Sequence, residues 1–248
     1  MTFHQMPTLT NTQIIEQWSS LPSESGELFG DEGDFARQAL LNPTIFGLLG
    51  NIAGQTILDA GCGNGYLSRL MSKKGAKVVG LEPATPLIQY AIQREQQEPL
   101  GIEYVQADLA YWETEQRFDV IVANMVLMDI PDYEAALDRC FEHLDVNGRF
   151  IFSITHPCFE ASDSEFRANG HITVKKYFQP YGIQQGISHR VHRPLSHYFQ
   201  ALLARGGRID AVIEPQLTPE QAQHPPEQER NLHIPSFLVI QVNKPSTL

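Results

Sequence analysis

The chain is predicted to be an α/β protein, a doubly wound seven-stranded sheet, mostly parallel with one antiparallel strand and with helices on both faces. Three observations carry this. Short apolar runs alternate with amphipathic helical patterns from residue 55 to residue 155, the rhythm of strand–helix–strand units joined by right-handed crossovers. The run FDVIVAN (118–124) is apolar almost throughout, as a strand covered on both faces should be. The last two runs, RIDAVIEP and FLVIQV, flank a polar, Pro- and Gln-rich loop at 216–231. Such a hairpin-like pair at the end of a parallel sheet implies one antiparallel strand.

The elements follow in order. TNTQIIEQWSS (10–20) predicts a short helix with Ile14, Ile15 and Trp18 on one side. SESGELFGDEGD (23–34) holds five acids, three glycines and no base, and reads as a loop. Apolar spacing resumes over 35–49 at Phe35, Leu40, Leu41, Ile45 and Leu48, interrupted by Pro43. QTILDAG is a strand, and YLSRLMSKKG a helix stopped at Gly75. KVVGLE (77–82) is the next strand. TPLIQYAIQREQQE is a helix with Thr85 as expected N-cap and Pro86 at its first position. IEYVQAD (102–108) and FDVIVAN are strands. DYEAALDRCFEHL is a helix ended by Asn147-Gly148, and RFIFSIT (149–155) a fifth strand. Residues 157–193 break the rhythm as an insertion before PLSHYFQALLARGG restores a helix. The expected organisation is a helical cap or lid over 1–50 and a main domain over 51–248. No internal repeat is visible.

Composition narrows the function. The 248 residues, 42% of them hydrophobic, can bury a sizeable core. No run of 18 apolar residues suggests a membrane span, and MTFHQMPTLTNTQ lacks the pattern of a secretory signal. Cys62, Cys140 and Cys158 have no metal-site spacing and suit a reducing compartment, so a cytoplasmic location is expected. A net charge of −11 disfavours nucleic acid as a partner; HRVHRP (189–194) is the nearest approach to a basic face. These features leave the oligomeric state open.

The functional signal is ILDAGCGNGYLSRL (57–70), with Gly61, Gly63 and Gly65 between a strand and a helix. Ligands of open parallel sheets bind beyond the carboxyl ends of the strands, where strand order reverses. Glycines let backbone approach a ligand, and the following helix offers free N–H groups. Glu82 stands 23 residues after Asp59, at the end of the second strand, where a carboxylate can accept hydrogen bonds from both hydroxyls of a ribose. A nucleoside-containing cofactor is implied. The spacing is G-x-G-x-G, with Tyr66 where a dinucleotide site has its third glycine.

DAGCGNG (59–65), VVGLEP with Glu82, QADLA with Asp108 and FDVIVANMVLMDIPD, in that order, resemble class I S-adenosylmethionine-dependent methyltransferases. The later segment HRPLSHYFQALLARGGRIDAVIEP resembles the small-molecule branch described as methyltransferase type 11. The resemblance implies a Rossmann-like fold and S-adenosyl-L-methionine as methyl donor. It implies that Gly61, Gly63 and Gly65 touch the methionine portion, that Glu82 holds the ribose, and that Asp108 with the Leu109 backbone reads the adenine. Asn124 would line the cofactor near its sulfonium, and Arg37 falls where some relatives meet the methionine carboxylate. Asp59 would act by ordering the loop or by reaching the amino group.

For catalysis, methyl transfer from a sulfonium is an in-line displacement, so positioning and desolvation dominate. A general base helps a protonated acceptor. His156, directly after the fifth strand in SITHPCF, is the candidate base; Asp129, beyond the fourth strand, could contact substrate or cap the next helix, and the cap is the expectation. His192 and Arg193 are candidates for a substrate-facing lid, with Arg193 able to pair an anionic group. His189, His192 and His197 have no zinc-site pattern, and no metal is expected. The reading is a methyltransferase acting on a small molecule. Two rivals stay open: a catalytically silent protein that binds the same cofactor to regulate a partner, and an NAD(P)-dependent oxidoreductase.

Overall fold

The structure is a computed structural model that describes residues 9–160, 163–223 and 226–246. Residues 1–8 of the expected cap and parts of the 157–193 and 216–231 segments lie outside the described residues. The elements are α1 (Asn11–Ser19), α2 (Asn42–Leu49), β1 (Thr56–Ala60), α3 (Tyr66–Lys73), β2 (Lys77–Leu81), α4 (Thr85–Gln97), β3 (Glu103–Val105), β4 (Phe118–Asn124), α5 (Tyr133–His143) and β5 (Leu144–Thr155). There follow α6 (Asp163–Asn169), β6 (Tyr181–Gln185), β7 (Ser188–His192), α7 (Leu195–Ala204), β8 (Arg208–Ile213) and β9 (Phe237–Asn243).

Seven strands form one sheet in the order β3-β2-β1-β4-β5-β9-β8. β3, β2, β1, β4 and β5 are parallel. β9 runs antiparallel to both β5 and β8, the one reversed strand that the terminal pair implied. The chain steps outward from β1 to β3 and then returns to β4 on the other side of β1, so the strand order reverses between β1 and β4. A crevice beyond the carboxyl ends is the geometric consequence.

Alternation along the central strands builds two cores. Leu58, Ile121, Ala123, Phe150 and Phe152 face a cluster with Ala136, Leu137 and Phe141 of α5 and Tyr198 and Leu202 of α7. Ile57, Val120, Val122 and Ile151 face the other cluster, with Leu67 and Met71 of α3 and Ile45 and Leu49 of α2. The period-2 switch between clusters is why β4 is apolar nearly throughout. Phe150 stacks on Phe152 with centroids 5.2 Å apart, and Tyr133 meets Tyr198 edge-on at 5.6 Å, geometries that add to burial.

Local departures have local causes. The cap of α4 is Ala84, in extended backbone, with Thr85 already helical; the Thr85 hydroxyl instead accepts from Gln106 Nε2 at 2.8 Å. α5 ends at His143, and Asn147, at φ 63°, lies inside β5 where the register with β4 shifts. Asp132, not Asp129, caps α5, its carboxylate accepting from Ala135 N–H. Residues Ser23–Phe29 form a 3₁₀ turn within the expected loop. Two acids of the run pair with arginines: Asp31 with Arg94 at 2.8 Å and Arg69 at 3.3 Å, and Asp34 with Arg37 at 2.5 Å.

The insertion carries a separate antiparallel pair, β6–β7, and three sequence candidates turn out to serve the scaffold around it. His156 is 3% exposed. Its Nδ1 accepts from Cys158 N–H at 3.2 Å, so Nε2 carries the proton and donates to Glu214 at 2.8 Å. Both ring nitrogens are engaged, and burial lowers its pKa. The His192 ring is equally committed, with Nδ1 2.6 Å from Glu160 Oε2 and Nε2 donating to Tyr177 O at 2.8 Å. Arg193, 4% exposed, donates to the carbonyls of Leu127 (3.1 Å), Ile130 (2.6 Å) and Pro131 (3.0 Å), and its guanidinium lies 4.2 Å over the Tyr133 ring. It pins the turn after β4 rather than reaching for a ligand.

Arg193→Ala would leave three carbonyls without their donor and open a void over Tyr133. Urea denaturation should show a loss of about 2–5 kcal/mol, the scale for breaking buried charge-assisted bonding. Arg193→Lys should recover little of it, since a point charge cannot span three acceptors. A loss below about 0.5 kcal/mol, the range of ordinary surface substitutions, would contradict this role.

Candidate functional site

A pocket of about 480 Å³ opens at the carboxyl ends of β1, β2, β3 and β4, a size suited to a small ligand. Its floor is the turn after β1. Gly65 begins α3 with φ 75°, and a Cβ there would strike the Tyr104 hydroxyl, so the turn closes only with glycine. At Gly63, φ is 56° and a Cβ would meet nothing within 4 Å; this backbone faces the open pocket and lets a ligand approach the chain itself. Asn64 roofs the turn, its amide donating to Gly26 O at 2.8 Å and Gly30 O at 3.2 Å.

Glu82, at the end of β2, is 8% exposed and lines the pocket. One oxygen accepts from Gly63 N–H at 3.0 Å and the other from Ala84 N–H at 2.8 Å, which leaves lone pairs on both for a ligand. Burial pushes its pKa up to about 7, partly offset by the two backbone bonds. Asp59 lies beneath the turn, 1% exposed, and accepts from the Ser68 hydroxyl at 2.5 Å. Burial raises it to about 6, against the lowering by Ser68. Beyond β3, Asp108 accepts from Ala110 N–H at 3.0 Å and from the Asn11 amide at 3.0 Å. Asn11 Oδ1 in turn accepts from Asp132 N–H at 2.9 Å, holding α1 across the pocket.

The wall after β4 hangs on a chain of hydrogen bonds. Ser153 Oγ donates to Asn124 Oδ1 (2.6 Å), Asn124 Nδ2 to the Tyr66 hydroxyl (2.8 Å), Tyr66 to Asn42 Oδ1 (3.2 Å), and Asn42 Nδ2 to Glu32 O (2.8 Å). Met125 follows with φ 64°, a left-handed conformation costly for a side-chain-bearing residue. Its N–H bonds both Ser153 O (3.1 Å) and Ser153 Oγ (2.9 Å). The roof consists of Ile14, Ile15 and Trp18 of α1 and the hairpin tip from Gly186 to Arg190. His189 joins the two pieces through its N–H and ring Nδ1, at 3.0 and 3.1 Å from Gln17 Oε1.

Of the residues singled out in the sequence, Arg37, Gly61, Gly63, Glu82, Asp108, Leu109 and Asn124 line this pocket. Asp59 and Gly65 lie behind its floor. His156, His192 and Arg193 are not among its lining residues. Sequence reasoning did not single out Tyr66, Met125, Met128, His189 or Arg190 for the pocket, though Tyr66 stood in view as the residue replacing a third glycine; Asp129, expected as a cap rather than as a substrate contact, lines it.

A family profile described as "Methyltransferase domain" matches residues 35–202. The chain is 28% identical over 153 residues to the ubiquinone biosynthesis O-methyltransferase of Photorhabdus laumondii, covering 59% of this chain and 62% of that protein. It is 30% identical over 128 residues to the Salmonella paratyphi A protein of the same name, covering 49% of this chain and 53% of that one. The chain thus spans less than two thirds of the length of these curated relatives. A crystal structure of an S-adenosylmethionine-dependent methyltransferase from Mesorhizobium loti aligns with TM-score 0.74 and 26% identity, over 86% of this chain and 100% of that one. Magnesium protoporphyrin IX methyltransferase from Synechocystis, with bound S-adenosylhomocysteine, shares the fold at TM-score 0.64 and 16% identity, over 94% and 99% of the two chains. A glycine turn, a buried carboxylate at the end of the second strand and a matching family profile converge: the chain belongs to the S-adenosylmethionine-dependent methyltransferase family, with its Rossmann-like fold.

Proposed function

We propose that the protein methylates a hydroxyl oxygen on a small, largely apolar molecule. The observation that carries this is the composition of the pocket beside β4: Ile14, Ile15, Trp18, Met125, Met128, Ile130 and Ile187 give it largely apolar walls around Asn124, Asp129, His189 and Arg190, while Glu82 and Asp108 lie at the β2–β3 end. The name O-methyltransferase borne by the curated relatives supports oxygen as the acceptor atom. The net charge of −11 argues against a nucleic acid substrate. No helix among the described residues is long and apolar enough to cross a membrane.

Several residues fit the cofactor. Glu82 would hold the ribose hydroxyls; Asp108 and the Leu109 backbone would take the adenine end; Gly61, Gly63 and Asn124 would border the methionine portion; Arg37 would face its carboxylate. Asp59 would act through Ser68, and Gly65 by shaping the turn. The cofactor, when bound, supplies a methyl group already activated on a cationic sulfur. This chain's part is to orient the ribose, exclude water beneath α1 and the hairpin tip, and hold the acceptor in line. The division into a lid over 1–50 and a catalytic domain over 51–248 belongs to the same proposal, since α1 roofs a pocket whose floor is the glycine turn.

Calorimetry tests the cofactor assignment. S-adenosylmethionine should bind and NADH should not. Glu82→Ala removes two charge-assisted acceptors, each worth ~1.5–3 kcal/mol in favourable settings, so affinity should fall at least about tenfold. Unchanged affinity would show that the carboxylate serves something else. Radiolabel from the methyl donor should reach hydroxyl acceptors such as catechols and leave tRNA, rRNA and DNA unlabelled; specific labelling of one RNA would overturn the acceptor class.

The buried acids add a pH dependence whose sign is fixed. Folded values of about 7 for Glu82 and about 6 for Asp59 lie above their ordinary 4.5 and 3.8. The ligand-free protein therefore keeps these protons below that range and loses stability as pH climbs from about 4 to about 7. Ribose hydroxyls and a cationic sulfonium both prefer the ionised carboxylates. Between about pH 5.5 and 8, affinity for S-adenosylmethionine should rise by up to about thirtyfold as Glu82 ionises and by no more than about fourfold through Asp59, each power of ten being about 1.4 kcal/mol. The neutral thioether product should gain less. A flat or falling affinity would contradict the assignment.

A further inference from the structure

Four acidic side chains line the pocket: Asp34, Glu82, Asp108 and Asp129. Three are engaged by the protein itself. Asp34 pairs with Arg37, Glu82 accepts two backbone N–H groups, and Asp108 accepts from Ala110 and Asn11. Asp129 differs. Its N–H bonds Val126 O at 2.8 Å, but its carboxylate accepts no hydrogen bond among the described residues. The turn that carries it, Leu127–Asp129, is immobilised by Arg193 through Leu127 O and, just beyond, Ile130 O and Pro131 O. The scaffold thus holds a carboxylate firmly in place and supplies it with no donor. A half-buried carboxylate held at a pocket wall without a donor is costly to keep, and such groups mark working sites more often than structural ones.

Its location is specific. Asp129 follows β4, on the far side of the strand-order reversal from Glu82, among the apolar side chains assigned above to the acceptor. We propose that Asp129 is the catalytic residue that takes the proton from the acceptor hydroxyl. This rests on the hydroxyl-acceptor reading of the same pocket. As the acceptor oxygen bonds the methyl carbon, the sulfur keeps the electron pair of the broken C–S bond, and the hydroxyl proton passes to an Asp129 oxygen. The products are a methyl ether, a neutral thioether and a protonated carboxyl, which later returns its proton to water.

The surroundings tune this role. Burial is the largest influence and raises the Asp129 pKa, and the Glu82 charge at the end of β2 raises it further. Arg190 of β7, Arg37 of the lid segment and Arg193 oppose that rise. The outcome, about 7, matches a base that works near neutral pH. His189 is the other titratable group on the acceptor side. Its Nδ1 carries the proton that faces Gln17, which ties the ring to α1, and we assign it to closing the roof.

The test uses 4-nitrocatechol, whose absorbance reports its own ionisation, with the full chain saturated by S-adenosylhomocysteine so that no turnover occurs. In the parent, bound 4-nitrocatechol should complete its ionisation at higher pH than it does free, because the Asp129 carboxylate beside the hydroxyl disfavours a second negative charge. Asp129→Asn should abolish that difference while keeping the affinity for S-adenosylhomocysteine within about threefold; His189→Gln should keep the difference. With S-adenosylmethionine, Asp129→Asn should slow methylation of neutral catechol by ~10²–10⁴-fold. It should slow that of pre-ionised 4-nitrocatechol by less than about tenfold, one power of ten being about 1.4 kcal/mol. A retained difference in Asp129→Asn, its loss in His189→Gln alone, or equal slowing of both acceptors overturns the assignment and leaves the hydroxyl-acceptor reading standing. A parent that binds S-adenosylmethionine but neither binds nor methylates either catechol overturns that reading and the assignment with it. If Asp129→Asn does not fold, Asp129→Ser is measured in the same way and carries the same outcomes.

Discussion

The Glu82 carboxylate is the interaction on which the site depends. It sits where β2 ends, with one oxygen on Gly63 N–H and the other on Ala84 N–H, and so joins the turn after β1 to the start of α4. A glycine turn is by itself floppy, because glycine loses more conformational freedom on folding than any other residue. Here the turn is tied at one end by Glu82, at the other by Asn64 to the 23–30 segment, and from below by Asp59 through Ser68. Burying two carboxylates under one turn is costly, and both are pushed above their ordinary values as a result. Under the proposed assignment a cationic ligand would relieve that cost, so the raised carboxylates and the affinity for the cofactor would have the same origin.

A second constraint joins the sheet to the lid. The chain from Ser153 through Asn124, Tyr66 and Asn42 to Glu32 O starts on β5 and ends beside the acids that precede α2. Each member occupies its neighbour's donor or acceptor, so a change in one link is felt along the rest. The same chain orients Asn124 and stabilises the left-handed Met125. Arg193 completes the arrangement by fixing the Leu127–Pro131 turn. The pocket wall after β4 is thereby set from two sides by groups that never touch a ligand.

Most of the sheet could be read in advance because burial on both faces writes itself into local composition. β4 matches FDVIVAN residue for residue, and the antiparallel end was visible as two apolar runs around a polar linker. The Glu82 position followed from its spacing to the glycines. What stayed hidden depends on partners far along the chain. His156 meets Glu214, 58 residues later, and Arg193 meets carbonyls more than sixty residues earlier; no window of sequence contains either pair. The cap of α5 was expected at Asp129. Only the turn geometry sends Asp132 to Ala135 N–H and leaves Asp129 facing the pocket. The β6–β7 pair was missed for another reason, since its strands are short and polar and carry little alternation.

The central claim is that the cofactor runs from the β3 side to the β4 side of the crevice, with its ribose on Glu82 and its sulfur turned toward the Asn124–Asp129 wall. A crystal structure with S-adenosylhomocysteine tests this most directly. The account predicts both ribose hydroxyls within hydrogen-bond distance of the Glu82 carboxylate, the adenine beside Asp108 and Leu109, and the sulfur facing the apolar space beneath α1. A ligand bound with its ribose away from Glu82, or with its sulfur on the β3 side, would contradict it.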